Sequence, residues 1–82
     1  MIAEPMDILN RKHIGHNVQR VRMYLGVKQE ALATDLGISQ QEVSKIEQRD
    51  EIEDGVLSQI AGVLGISPEV IRDFDGERII YN

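Results

Sequence analysis

Residues 29–48 read QEALATDLGISQQEVSKIEQ, and this stretch decides the fold. Gly37 divides it into two short helical patterns, because glycine tolerates the positive φ that a tight turn between two helices requires. The second helix is expected to begin after Ser39, since Ser39 and Glu42 have the spacing of a capping box. In that motif the serine hydroxyl accepts from the N–H of Glu42, and the glutamate reaches back. The stretch therefore predicts two helices joined by a short turn.

The second of these helices has two chemically different faces. At about 100° per residue, Val43, Ile46 and Glu47 share one face. The other face gathers amides, a hydroxyl and an ammonium, from Gln40, Gln41, Ser44, Lys45 and Gln48. Ordinary surface helices favour Glu–Lys pairs and alanine, whereas amides and a cation hydrogen-bond base edges in the major groove of DNA. The polar face therefore predicts contact with nucleobases.

Five positions carry a resemblance to the helix-turn-helix of the lambdoid phage repressor and Cro family, also called the XRE-like family. They are Gln29, Ala33, Gly37, Val43 and Ile46, and the run GISQQEVSKIE supports them. The resemblance covers about residues 14 to 73. It implies an all-α, lambda-repressor-like DNA-binding domain of five short helices, with the helix-turn-helix at helices two and three.

The resemblance, together with side-chain chemistry, gives a predicted set of DNA contacts. The side chains expected to read base edges are Gln40, Gln41, Ser44 and Lys45. Donor and acceptor geometry makes adenine the favoured partner of glutamine and guanine that of lysine. The residues expected to hold backbone phosphates are Lys28, Gln29, Ser39 and Arg49.

Two further expectations concern Arg22, Glu47 and Lys28. The resemblance implies a partly buried Arg22–Glu47 ion pair that holds the first helix against the third, and the alternative is two unrelated solvent charges.

Lys28 stands where the family commonly has Ser, Thr or Asn before the second helix. This departure removes a side-chain cap of about 1 kcal/mol and places a cation where a phosphate would pass.

The remaining helices follow from apolar spacing and caps. The first helix has the stripe Ile14, Val18, Val21 and Leu25, and Gly26 ends it. The fourth is predicted to have Asp54 as its N-cap and the stripe Val56, Leu57, Ile60, Ala61 and Leu64, with Gly65 at its end. The last is predicted to open with Ser67 and Pro68 and to turn Val70, Ile71 and Phe74 toward the core.

Three segments are expected along the chain: an N-terminal arm at residues 1–12, the domain at 13–74, and a C-terminal tail at 75–82. The length of 82 residues suits one domain or a fragment of one. Three apolar residues in the tail, Ile79, Ile80 and Tyr81, favour a dimer contact or truncation of a longer chain over packing on the domain. No signal peptide or bilayer-length apolar run is visible, so the cytoplasm is expected.

The net charge of −5 argues at first against nucleic acid. The charge is uneven, however: residues 11–49 carry a net +3 and residues 50–82 a net −6. Four carboxylates follow Arg49 directly, at Asp50, Glu51, Glu53 and Asp54. In a loop near DNA they would repel phosphate unless they point outward.

Enzymatic and metal chemistry find no support in the sequence. There is no cysteine, the pair His13 and His16 lacks a third ligand, and the serines lack a neighbouring base. We therefore expect no enzyme, no cofactor and no metal. The favoured function is that of a transcriptional regulator that binds double-stranded DNA sequence-specifically. A repressor is the favoured kind of regulator. A homodimer on a palindromic operator is implied, because one domain makes few contacts.

Two alternatives remain open. One is the antitoxin of a toxin–antitoxin pair, which would bind both its operator and a toxin protein. The other is a protein-interaction module that has lost DNA binding, which the net charge and the acidic loop would suit.

Overall fold

The computed structural model describes residues 13–74. Within them the chain forms five α-helices and no strand: α1 Ile14–Tyr24, α2 Gln29–Leu36, α3 Gln40–Glu47, α4 Asp54–Leu64 and α5 Pro68–Arg72. The predicted all-α class is confirmed. The predicted arm at 1–12 and tail at 75–82, with its three apolar residues, lie outside the described residues. Over residues 13–74, no helix has the length and apolar character needed to cross a bilayer.

One apolar core joins all five helices. Its buried members are Ile14, Val18, Leu32, Ala33, Val43, Ile52, Leu57, Ile60, Ala61 and Ile71. Each large aliphatic side chain buried here contributes about 1.5–3 kcal/mol. Ile52 lies in the loop between α3 and α4, and it fixes that loop to the core. The sequence does not predict this anchor, because no periodic pattern surrounds Ile52.

The turn between α2 and α3 has the predicted geometry. Gly37 has a φ of 74°. The N–H of Gly37 donates to the carbonyl of Thr34 at 3.1 Å, and the N–H of Ile38 donates to Ala33 at 3.0 Å. This is the Schellman arrangement, which satisfies the last carbonyls of a helix and needs a left-handed residue. The small side chain of Ala33 is buried beside the turn.

The helix starts agree with the predictions in part. The Ser39 hydroxyl accepts from the N–H of Glu42 at 3.1 Å, which is the first half of the capping box. Lys28 precedes α2 and makes no side-chain cap bond, as expected. The predicted N-cap role of Asp54 is wrong: Glu53 is the N-cap, and Asp54 is the first helical residue. The carboxylate of Asp54 pairs instead with the guanidinium of Arg72 on α5.

Two residues predicted to face the core are exposed. Leu25 is 44% exposed, because α1 ends at Tyr24 and the stripe does not continue past the helix end. Val70 is 46% exposed, because the short helix α5 buries Ile71 and the preceding position points about 100° away. Phe74 is half-buried.

Asn17 is a buried polar residue that joins the first and last helices. Its amide Nδ2 donates to the backbone carbonyl of Ile71 at 2.8 Å. The carbonyl of Ile71 lies at the C-terminal end of α5, where it also accepts from the N–H of Phe74 at 3.3 Å. The contact therefore satisfies two buried polar groups and fixes α5 against α1.

Candidate nucleic-acid interface

The third helix presents the predicted polar face to the outside. Gln40, Gln41 and Lys45 are exposed, and Ser44 is half-buried. On the opposite face Val43 is almost fully buried in the core. Because one face of α3 is anchored by the core, the amides and the ammonium of the other face are held outward together.

The residues predicted to hold phosphates lie around the ends of α2 and α3. Lys28 is exposed at the start of α2, and Gln29 is its first residue and half-buried. Ser39 is exposed at the start of α3, where its oxygen accepts from Glu42 and its O–H stays able to donate. Arg49 is exposed just beyond the C-terminal end of α3. The predicted phosphate contacts therefore lie in two places: at the starts of α2 and α3, and just after the end of α3.

The first positions of α2 and α3 are in contact. The amide Nε2 of Gln40 donates to Oε1 of Gln29 at 3.1 Å, and Nε2 of Gln29 donates to Oε1 of Glu47 at 3.0 Å. The sequence predicts separate roles for these two glutamines, Gln40 at a base and Gln29 at a phosphate, and does not predict their contact. The available signal was their shared position, since each is the first residue of its helix.

The predicted contact between Arg22 and Glu47 is present and deeply buried. Nε of Arg22 donates to Oε2 of Glu47 at 2.7 Å, and Nη2 donates to Oε1 at 3.3 Å. The two residues are only 7% and 3% exposed. Nη1 of Arg22 also donates to the carbonyl of Val27 at 2.8 Å. The pair joins α1, the turn after it, and α3.

These bonds form one continuous chain from the interior to the surface: Arg22, Glu47, Gln29 and Gln40, here called the polar chain. No buried side-chain nitrogen or oxygen within residues 13–74 lacks a hydrogen-bond partner. A buried pair adds little net stability when compared with apolar side chains, because desolvation offsets attraction. The structural effect of the polar chain is to fix the position of α3 against α1 and α2.

The C-terminal end of α3 is held by the first turn of α1. The N–H of Ile14 donates to the carbonyl of Asp50 at 3.0 Å, and the N–H of Gly15 donates to the carbonyl of Arg49 at 2.9 Å. The N–H groups at the start of α1, which have no partner within that helix, thereby bond to carbonyls just after the end of α3. The third helix is consequently fixed at both ends.

His13 and His16 have structural contacts at the start of α1. Nδ1 of His13 accepts from the N–H of His16 at 3.1 Å, so His13 caps the helix. Nε2 of His13 lies 2.9 Å from a carboxylate oxygen of Asp50. Among residues 13–74, no group of three or more histidine, cysteine or acidic side chains is placed to hold a metal ion.

Two carboxylates of the acidic segment after α3 contact basic side chains of the same domain. Asp50 faces His13, and Asp54 faces Arg72. Glu51 and Glu53 remain exposed. Because Asp54 is paired with a guanidinium and Asp50 is directed at an imidazole of the same domain, this segment repels a nearby phosphate less than its sequence suggests.

The comparison with known families identifies the arrangement of α2 and α3. A family model described as helix-turn-helix matches residues 18–71. The chain belongs to the helix-turn-helix family. The resemblance expected from the sequence, and with it the lambda-repressor-like fold, is confirmed. In this helix-turn-helix domain α3 is the second helix of the motif.

A solved structure is similar to this helix-turn-helix domain over most of its length. It is the crystal structure of a hypothetical transcription factor, NHTF, from Neisseria, with a TM-score of 0.68 and 25% sequence identity. The match covers 88% of this chain and 84% of that chain. No curated protein matches the sequence.

Proposed function

We propose that this helix-turn-helix domain binds double-stranded DNA sequence-specifically and regulates transcription, acting as a repressor. The observation that carries the proposal is the two-faced third helix, anchored by Val43 and Glu47 and polar outside. An α-helix with its side chains is about 10–12 Å across, and the major groove is about 12 Å wide. The helix therefore fits the groove with its amides toward the bases.

The base contacts are assigned to four side chains of α3: Gln40, Gln41, Ser44 and Lys45. The two glutamines offer a donor and an acceptor each, which match adenine, and Lys45 offers donors, which match guanine. Ser44 is half-buried and has the shortest reach.

The phosphate contacts are assigned to Lys28, Gln29, Ser39 and Arg49. The backbone N–H of Gln29 has no partner inside α2, because it is at the first helical position. That N–H, with the ammonium of Lys28 beside it, suits a phosphate at a helix N-terminus. These contacts position α3 but carry no sequence information themselves.

A homodimer on a palindromic operator completes the proposal. One domain makes few contacts, and two copies on half-sites about 34–36 Å apart would add their binding energies. Blocking a promoter from such a site is the simplest regulatory action for a domain of this size. The cytoplasm is the compartment consistent with this role.

A second candidate function is supported by the acidic surface. Glu51 and Glu53 are exposed, and residues 50–82 carry a net −6. Such a surface suits a basic protein partner. An antitoxin that binds its operator and a basic toxin would use both surfaces, and an interaction module without DNA binding would use only the acidic one.

The test begins with selection of bound sequences from random duplex DNA. The selected palindrome and a scrambled duplex are then titrated with Gln41→Ala and Lys45→Ala. Each variant is expected to lose about 1–3 kcal/mol of discrimination at one base pair. Ser67→Ala is the control, since this exposed serine makes no cap bond at the start of α5. Unchanged discrimination in both α3 variants would contradict the assignment of α3.

Salt dependence separates the interaction module from a protein that binds DNA. Phosphate contacts make log affinity fall with log salt by about 0.9 per contact. A steep decline for the selected duplex is expected. A flat response, or no binding at low salt, favours the interaction module.

A further inference from the structure

We propose that Glu47, a buried residue that cannot touch DNA, sets the base preference of Gln40 through the polar chain. The proposal rests on the proposed function, because it assumes that Gln40 reads a base. It adds a residue that determines specificity from inside the domain. Each hydrogen bond of the polar chain, taken from the interior outward, fixes the orientation of the next side chain.

The first step is the chemistry of the Glu47 carboxylate. A carboxylate has acceptors and no donor. Its Oε2 accepts from Arg22 at 2.7 Å, and its Oε1 accepts from Gln29 at 3.0 Å. Because Glu47 cannot donate, the amide of Gln29 must turn its NH2 group toward it.

The second step passes this orientation to Gln40. With its NH2 on Glu47, Gln29 has its carbonyl oxygen available to Gln40, and Nε2 of Gln40 donates to that oxygen at 3.1 Å. Gln40 therefore keeps its own Oε1 and one remaining N–H for the outside. One acceptor beside one donor is the pattern that adenine matches through N6 and N7.

The third step considers the opposite orientation of the Gln29 amide, with its NH2 group toward Gln40. If the residue at position 29 donated to Oε1 of Gln40, both N–H groups of the Gln40 amide would be left for the base. Two donors match guanine, whose O6 and N7 are both acceptors. In the native chain that arrangement would set the Gln29 oxygen against an oxygen of Glu47. The carboxylate therefore selects adenine over guanine.

The experiment changes position 29 and measures preference at one base pair. The pair read by Gln40 is located first, as the position where Gln40→Ala abolishes preference. Affinities for four duplexes that differ only at that pair are then compared. The native chain is expected to prefer adenine over guanine by roughly 5- to 150-fold, the range of a good bidentate contact.

Two variants of Gln29 are informative. Gln29→Met keeps similar length but removes both hydrogen bonds, so the adenine-to-guanine ratio is expected to fall toward one. Gln29→Lys offers donors only; it can pair with Glu47 and donate to Gln40, so the ratio is expected to move in favour of guanine. Glu30→Gln is the control for charge. It makes the same +1 change one residue along α2, on an exposed side chain, and is expected to keep the native ratio.

A second measurement does not depend on DNA. In the free native domain the side-chain NH2 protons of Gln40 are expected to exchange more slowly with solvent than those of Gln41. Gln29→Met is expected to remove this difference. Equal exchange in the native chain would overturn the proposed orientation, even if a variant failed to fold.

The failures of the two proposals are distinguishable. Selective DNA binding with an adenine preference that survives in both Gln29 variants would overturn the role of Glu47 and leave the proposed function standing. A native preference for a base other than adenine at the Gln40 position would also overturn it. Absence of selective binding by the native chain would instead contradict the proposed function itself.

Discussion

The backbone of Gly15 lies directly against the backbone carbonyl of Arg49. The N–H of Gly15 donates to that oxygen at 2.9 Å, and a Cβ on Gly15 would lie 2.5 Å from the same atom. It would lie equally close to the carbonyl oxygen of Ile46. The start of α1 and the end of α3 are therefore in backbone contact, with the positive end of one helix dipole at the negative end of the other.

Gly15→Ala is consequently expected to destabilise the domain. The obstructing atoms are backbone, so the added methyl group forces α1 away from α3, and overpacking of this kind costs about 1–3 kcal/mol or more. Gly62→Ala is the matched control, because nothing lies within 4 Å of a Cβ there and the change should stabilise α4 by about 0.8–1 kcal/mol. Urea denaturation of the two variants measures the expected loss of stability in Gly15→Ala and the expected gain in Gly62→Ala. Native stability in Gly15→Ala would show that the two helices can separate without cost.

The Arg22–Glu47 pair supports a second prediction about stability. Arg22→Met leaves the buried carboxylate without its main partner, and breaking one side of such a pair costs about 3–5 kcal/mol. The double variant Arg22→Met with Glu47→Leu removes both charges and is expected to recover much of that loss. Thermal or urea unfolding of the single and double variants measures the difference. A double variant no more stable than the single one would contradict this account.

Local signals explain which parts of the fold the sequence predicts. Gly37 and Ser39 act within one turn of the chain, so their types alone indicate a left-handed turn and a helix start. The same reasoning is wrong for Asp54, because its carboxylate pairs with Arg72 rather than with the adjacent backbone. The spacing of neighbouring residues cannot reveal that Asp54 has a competing partner, Arg72, 18 positions away.

Contacts between residues far apart in the sequence are predicted only by the family resemblance, or are not predicted. The Arg22–Glu47 contact was expected because a known family has such a pair, and nothing in the spacing of the two residues requires it. Asn17 bonds to Ile71 across 54 positions, and no pattern in the sequence pairs them. The contact between Gln29 and Gln40 is not predicted for the same reason, although both residues belong to the predicted site.

Asn17 provides a third prediction. Asn17→Leu removes the shorter of two hydrogen bonds to the carbonyl of Ile71 and leaves it only the N–H of Phe74 at 3.3 Å; the lost bond costs about 0.5–1.5 kcal/mol. Because the contact fixes α5, exchange should rise first at the backbone amides of residues 69–73, in α5 and at its C-cap, and less in α3. Hydrogen exchange resolved by residue measures this difference. Uniform loosening of all five helices would show that the contact supports the whole core rather than one helix.

Lys28 connects helix capping with DNA binding, and this gives the last prediction. It is the N-cap residue of α2 but makes no cap bond, so Lys28→Ser should add a cap and stabilise the domain by up to about 1 kcal/mol. The same change removes a proposed phosphate contact, so affinity should fall for every sequence and the salt slope should decrease by about 0.9. Lys28→Ala is the matched control, since it removes the cation without supplying a cap and should weaken binding equally with no gain in stability. If both variants keep the native salt slope, Lys28 does not contact the DNA backbone, and its cost to capping has no compensating role in binding.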